Sequence, residues 1–366
     1  MIYSSFQRND RELNSKYRVA VTRNTFLKRW HAADEIFKIL RDKGCEIDFP
    51  ELPVEVDQDQ RRLAKVLEGY DFVIASTSPY YGREFFINNQ SVCVIALYAV
   101  GYDNIDINAA AEFGVHVIRV PNIIERNSVA EHTIALMLAT LRRIPWADKG
   151  VRKGRYMVVD YTYELFSELS APKDLGEMVI GIIGLGNIGS RVAEILIRGF
   201  GSRVLAYDPY IDPKRAKALG VELVERLEEI FARSDIVTIH TSLTPETKHM
   251  INKNVFSKAK KGIILINTAR GAIIDTEALL WAMREGIVSY AGLDVFEVEP
   301  LPDNHPLITM DNTILTPHIG ASVESTLKRM LESIVKAIAN YIDGKPMEEH
   351  AIVVVKPDNP RKPKRK

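Results

Sequence analysis

Along most of the chain, short apolar runs alternate with stretches in which apolar residues recur every three to four positions. That is the pattern of buried strands joined by amphipathic helices. Residues 17–22 read as a first strand. Residues 32–43 put Ile36, Phe37, Ile39 and Leu40 on one helical face, and Gly44 stands where that helix should stop. Residues 72–75 and 92–97 are further strands, and such alternation predicts a parallel sheet covered by helices on both faces. Ser128 and Glu131 have capping-box spacing, and Ile134, Met137, Leu138 and Leu141 follow at helical intervals, so a long helix is expected to start there.

Residues 145–176 lose this periodicity and are read as an extended loop or arm. Beyond them strand and helix alternate again, with strands at 179–183, 203–207, 236–240, 263–267, 290–295 and 313–315, which fits six parallel strands. Residues 322–343 form a long helix with Leu327, Met330, Leu331, Ile334, Val335, Ile338 and Tyr341 as its apolar positions. Coming after the last strand, it can return to the first domain, which would then be discontinuous. Residues 356–366 alternate Pro with Lys and Arg and are expected to be disordered.

A chain of 366 residues exceeds what one hydrophobic core usually supports, so two domains are expected. Its 48 acidic and 48 basic residues are interspersed and cancel. This argues against nucleic acid or a membrane surface as the main partner and for a small-molecule substrate. The basic tail is read as a solvated end. Cys45 and Cys93, the only cysteines, lie in or beside apolar runs, so neither a disulfide framework nor a metal site is implied. The polar N-terminus and the lack of any apolar run of membrane-spanning length suggest a cytoplasmic protein.

The most informative stretch is the apolar run 179–183, which breaks into Gly184-Leu185-Gly186-Asn187-Ile188-Gly189 and continues as a helix. Gly184 permits the tight turn, Gly186 lets the backbone approach a pyrophosphate, and Gly189 allows close helix–strand packing. The free amides and dipole of that helix start would face the anion. The next strand ends at Asp208, about 20 residues on, where an acid accepts hydrogen bonds from the adenosine ribose and repels the extra phosphate of NADP. NAD is therefore the expected cofactor, and NADP the less favoured. Arg203, which could tolerate a phosphate, stands at the wrong end of that strand.

Reacting groups are expected where strands end at their carboxyl side. The strand 263–267 runs into Thr268-Ala269-Arg270-Gly271, which leaves a guanidinium projecting to bind a planar carboxylate. The strand after Tyr290 runs through Asp294 into a turn with two acids, Glu297 and Glu299, and the last strand ends in Thr316-Pro317-His318-Ile319-Gly320. Of the eight histidines His318 is best placed for acid–base work. His31, His249, His305 and His350 lie in polar surroundings, and His116 reads as structural. His132 and His240 could lie near the cofactor.

Taken in order, Gly184 to Gly189, Asn267-Thr268-Ala269-Arg270-Gly271, Asp294-Val295-Phe296-x-x-Glu299-Pro300 and Thr316-Pro317-His318-Ile319-Gly320 resemble the D-isomer-specific 2-hydroxyacid dehydrogenases. Tyr98 to Asp106 and Ser128 to Thr133 agree, so the likeness runs from Ser91 to about Ser325. It implies an α/β protein of two doubly wound parallel-sheet domains. A discontinuous flavodoxin-like substrate domain would take residues 1–121 and 319–355. A Rossmann NAD-binding domain with a dimerisation arm would take residues 122–318.

The resemblance further implies a catalytic set of Arg270, Glu299 and His318, and so chooses Glu299 over Glu297. His318 would protonate the ketone, Glu299 would orient it, and Arg270 would bind carboxylate and carbonyl. Val100 and Gly101 would offer backbone amides to the substrate carboxylate. Asp294 would touch the nicotinamide carboxamide, and Asn187, Ile188, Thr241, Thr268 and Ala269 would join the cofactor contacts. His240-Thr241-Ser242-Leu243-Thr244 departs from the family pattern in lacking its proline, and residues 156–172 look longer than usual.

The implied activity is hydride transfer between NAD and a small D-2-hydroxyacid or 2-oxoacid, with glyoxylate or hydroxypyruvate favoured over a phosphorylated substrate, in a homodimer. An alternative is an NAD-responsive, corepressor-like interaction protein of the same fold. A third reading is an enzyme oxidising phosphite or formate.

Overall fold

The computed structural model describes residues 16–23, 25–52, 59–154 and 173–363. They form two compact units, Met1–Ile124 with Glu324–Lys366 and Glu125–Val323.

The first unit is built on parallel strands β1 (Tyr17–Val21), β2 (Cys45–Asp48), β3 (Phe72–Ala75), β4 (Val94–Leu97) and β5 (His116–Arg119), in the order β2-β1-β3-β4-β5. This is the flavodoxin-like order. The strand Ile352–Val355 pairs antiparallel with β5. Strands buried on both faces read as continuous apolar runs. In β4, Val94 and Ala96 enter one core cluster while Ile95 and Leu97 enter the other. The helix Glu324–Ile342 lays Met330, Leu331, Ile334, Val335 and Ile338 on the first of these.

The second unit carries β6 (Val179–Ile183), β7 (Arg203–Tyr207), β8 (Glu222–Leu223), β9 (Ile236–Ile239), β10 (Ile263–Asn267), β11 (Val288–Leu293) and β12 (Thr313–Leu315). All are parallel, in the order β8-β7-β6-β9-β10-β11-β12. The first six follow the dinucleotide-binding order, with the reversal between β6 and β9. The sheet has seven strands where six were expected, because the two-residue β8 is too short to leave a periodic signal.

Three local expectations are corrected. The long helix runs Arg126–Leu141, so Ser128 lies inside it and caps nothing; Glu125 is the N-cap and makes no side-chain cap bond. That helix is buried on several sides, and tertiary packing sets its start. Part of the expected loop 145–176 is the helix Ile144–Arg152, with Pro145 in its first turn, where a missing N–H costs nothing. Trp146 anchors it, its indole donating to the Asp311 carbonyl and its ring set edge-on to Tyr290. Residues 155–172 of that stretch lie outside the described residues. The tail is ordered as far as it is described. The Arg361 guanidinium donates to the carbonyls of Asn89 (2.8 Å), Val92 (3.3 Å) and Phe86 (3.2 Å). Among the described residues no helix is long and apolar enough to cross a membrane.

Candidate active site

The glycine-rich turn leaves β6 through Gly184, which has φ +90° and donates its amide to Tyr207 at 2.9 Å. A Cβ there would lie 2.7 Å from the His240 carbonyl oxygen and 3.0 Å from the Thr241 amide, so Thr241 stands against the turn. Gly186 is the N-cap of the helix Asn187–Ile195 and provides no side-chain cap, which leaves the first amides of that helix free for an anion. Open space faces Gly186 where a Cβ would point, room that a pyrophosphate can use. At Gly189 there is no such room: a Cβ would overlap the Gly184 carbonyl. Asp208, at the end of β7, accepts the Leu185 amide at 2.7 Å and the Tyr210 amide at 2.9 Å. These residues fit a dinucleotide.

At the end of β10 the buried Asn267 side chain shapes the next turn. Its Oδ1 accepts the Ala269 amide (3.0 Å) and its Nδ2 donates to the Arg270 carbonyl (2.9 Å). Arg270 is half-buried, with Nη1 donating to the Ala269 carbonyl at 2.8 Å. Gly271 is obligatory, since a Cβ would overlap the backbone of Phe296. The turn holding Arg270 is thus pressed against the turn holding the acids. Thr133 gives its one hydroxyl proton to the Val129 carbonyl (2.8 Å), so Thr268 is the donor in the 2.8 Å contact between the two threonines.

The two acids after β11 have separate partners. Glu299 Oε2 lies 2.8 Å from His318 Nδ1 while Oε1 accepts the Phe296 amide at 2.9 Å. Glu297 goes elsewhere, to His249 Nε2 (2.6 Å) and the Thr276 hydroxyl (2.6 Å). Burial pushes the Glu297 carboxyl up, and hydrogen bonds from Thr276 and His249 outweigh it, leaving the group below its ordinary range. Arg270, Glu299 and His318 therefore follow three neighbouring strands, β10, β11 and β12, at their carboxyl ends.

Asp294 is 1% exposed. Its Oδ1 accepts the Thr316 hydroxyl (2.6 Å) and the Ile319 amide (2.9 Å), and Oδ2 accepts the Gly320 amide (2.8 Å). Burial raises this carboxyl, but hydrogen bonds from His132, Thr316, Ile319 and Gly320 hold it below the usual range. His132 lies 3.3 Å from Asp294 Oδ1 and 3.2 Å from Thr316 Oγ1. His240 is half-buried as a residue; its ring is desolvated, which drives its pKa down to about 3, and it meets Thr238 Oγ1 at 3.0 Å. In the first unit, Val100 and Gly101 follow β4, half-buried. Sequence reasoning quoted Asn267 and Thr133 within motifs without giving either a role, and it missed the Glu297–His249 pair. An Asn closing a strand before a tight turn is the one available signal, since Asn side chains bond backbone two residues on.

Residues 134–320 match the family described as D-isomer specific 2-hydroxyacid dehydrogenase, NAD binding domain. Among curated relatives, D-3-phosphoglycerate dehydrogenase of Methanocaldococcus jannaschii is 36% identical over 311 residues, 85% of this chain and 56% of that protein. The chain thus spans about half the length of that relative. Glyoxylate reductase of Pyrococcus furiosus is 34% identical over 322 residues, 84% of this chain and 92% of that protein. Among solved structures, D-lactate dehydrogenase from Aquifex aeolicus, complexed with NAD and lactic acid, has a TM-score of 0.78 at 29% identity, with 93% of this chain and 100% of that chain covered.

Proposed function

Because the chain belongs to the D-isomer specific 2-hydroxyacid dehydrogenase family, we propose that it is an NAD-dependent oxidoreductase acting on a small D-2-hydroxyacid or its 2-oxoacid. The observation that carries this reading is the 2.8 Å pair of His318 and Glu299 on the sheet edge that also bears the glycine turn.

Bound NADH would supply the hydride. His318, protonated and held through Nδ1 by Glu299, gives its Nε2 proton to the substrate carbonyl oxygen as that oxygen gains negative charge. Arg270 binds the substrate carboxylate as a planar fork and stabilises charge on the developing alkoxide. The amides of Val100 and Gly101, half-buried after β4, are the substrate contacts proposed for the first unit. Gly184, Gly186, Asn187, Ile188 and Gly189 would cradle the pyrophosphate, and Asp208 would select NAD over NADP. Thr241, Thr268 and Ala269 complete the cofactor contacts.

A small, unphosphorylated 2-oxoacid such as glyoxylate or hydroxypyruvate is favoured, because the loop at 76–83 offers a phosphate only Arg83, which pairs with Glu112, and Tyr80 and Tyr81 are more prominent there. We read the protein as a cytoplasmic homodimer without nucleic-acid or membrane partners. The test is a panel of 2-oxoacids assayed with NADH and NADPH on wild type and His318→Ala. Turnover should vanish in the variant while NADH binding survives; an active variant refutes the assignment.

A further inference from the structure

His318 adopts φ +54°, in the left-handed region. That conformation is costly for a non-glycine residue and persists only where the surroundings enforce it. One residue does most of the enforcing. The Asp294 carbonyl accepts the His318 amide at 2.8 Å, while its carboxylate grips Thr316 on one side and Ile319 and Gly320 on the other. The turn is clamped both before and after the imidazole it presents.

The clamp has a support of its own. Thr316 spends its only hydroxyl proton on Asp294 Oδ1, so its oxygen can only accept from His132, and the anionic Asp294 can likewise only accept. The His132 Nε2 therefore carries a hydrogen that is shared between Thr316 Oγ1 at 3.2 Å and Asp294 Oδ1 at 3.3 Å. A Cβ on Gly320 would lie 3.1 Å from Asp294 Oδ2 and 3.7 Å from His132 Cδ2, so ring, carboxylate and turn are in contact.

We propose that His132 is a positioning residue: from the helix Arg126–Leu141 its Nε2–H orients the Asp294–Thr316 pair, and that pair holds His318 where Glu299 can pair with it. The proposal rests on the dehydrogenase reading above. It gives His132 and Asp294 a task in the His318 turn, beside the cofactor contact proposed for Asp294. Asp294 Oδ1 meets Thr316, Ile319 and His132 there, while Oδ2 accepts the Gly320 amide.

The full chain is tested as His132→Leu, His132→Gln and Thr316→Val, with kcat and KM for the best 2-oxoacid, NADH affinity by fluorescence titration, and Tm. Misplacing a catalytic group by about 1 Å can cost roughly 100-fold in rate. We expect His132→Leu to lose about 10- to 100-fold in kcat, with NADH affinity within about twofold of wild type. His132→Gln, which keeps a donor of similar reach, should recover most of the loss. Thr316→Val removes the same link and should share the kcat signature; it decides the matter if the leucine variant does not fold. An unchanged kcat overturns the proposal. So does a loss of NADH affinity that parallels the loss of kcat, which would put His132 on the cofactor, or a failure of glutamine to rescue. A wild type inactive on every 2-oxoacid sinks the dehydrogenase reading instead.

Discussion

A Cβ on Gly189 would overlap the carbonyl oxygen of Gly184, five residues back across the turn between β6 and its helix. The two glycines are thus one packing unit, while Gly186 between them faces open space. Gly189→Ala should cost about 1–3 kcal/mol, the usual penalty for overpacking. Gly186→Ala, at an ordinary φ of −67°, should change stability by less than about 0.5 kcal/mol. It should nonetheless weaken NADH binding at least about tenfold, or ~1.4 kcal/mol. Urea unfolding and NADH titration separate the two effects. Equal loss of stability in both variants would contradict the assignment of the open space to a ligand.

The two acids of the turn after β11 offer a cleaner contrast. Glu299→Gln removes the anion beside His318 Nδ1 and should lower kcat about 100-fold, in the range of general acid–base contributions. Glu297→Gln disturbs only its bonds to His249 and Thr276 and should leave kcat within a few-fold. Steady-state kinetics on both variants decides; the reverse order would move the orienting role to Glu297.

Most of both sheets was legible because parallel strands buried on two faces announce themselves as apolar runs, and β3, β10 and β12 begin and end where the pattern says, whereas β2, only partly buried, and the antiparallel strand Ile352–Val355 at the sheet edge were not read. What escaped were features set by contacts distant in sequence. The helix Arg126–Leu141 starts where burial dictates rather than at the Ser128 signature. Asn267 locks its turn through backbone atoms, and Glu297 finds His249 48 residues away, neither of which has a periodic signal. Asp294 showed as an acid at a strand end, yet its hold on both flanks of His318 depends on a left-handed residue that no local pattern marks.

Asp208 has two tasks, and its replacement should expose both. Its Oδ1 and Oδ2 accept the Tyr210 and Leu185 amides, so the acid braces the glycine turn as well as presenting negative charge at the end of β7. Asp208→Ala should weaken NADH and, by removing the repulsion, raise the NADPH-to-NADH ratio of kcat/KM by about tenfold or more. An unchanged ratio would show that cofactor choice is made elsewhere.

Acid should destabilise the protein partly through His116. It is buried at the start of β5, its ring edge-on to Tyr341 at 5.3 Å and its Nδ1 without a hydrogen-bond partner. Desolvation, then the charge of Lys356, push its pKa down, against the Val355 backbone and Glu348. A base depressed in the fold titrates at about 6.5 when unfolded, so its contribution is whole above that pH and is lost as pH falls towards the folded value. The slope it adds cannot exceed about 1.4 kcal/mol per pH unit. Urea unfolding of wild type and His116→Phe at pH 7.5 and 5.5 should show a smaller acid loss in the variant; parallel losses would rule His116 out as a source.

The tail makes the last prediction, because a stretch whose composition reads as disorder has docked. Arg361 fans its guanidinium over the carbonyls of Phe86 and Asn89, at the carboxyl end of the helix Arg83–Asn88 where a cation is favoured, and over that of Val92 beyond it. Its backbone is held too: the amide donates to the Gly114 carbonyl at 2.8 Å and its own carbonyl accepts the Tyr341 hydroxyl at 3.0 Å. A Cβ on Gly114 would lie 2.5 Å from the Asn359 carbonyl, so glycine is what lets the tail approach. Arg361→Ala should cost about 1–3 kcal/mol, since hydrogen bonds from a charged donor are lost together. Arg361→Lys should not restore it, because a point charge cannot serve three carbonyls that a planar fork reaches. Deleting residues 361–366 should match the alanine variant or exceed it by the two backbone bonds. Denaturant midpoints at one pH measure all three, and a truncated chain as stable as wild type would return the tail to the role of a solvated end.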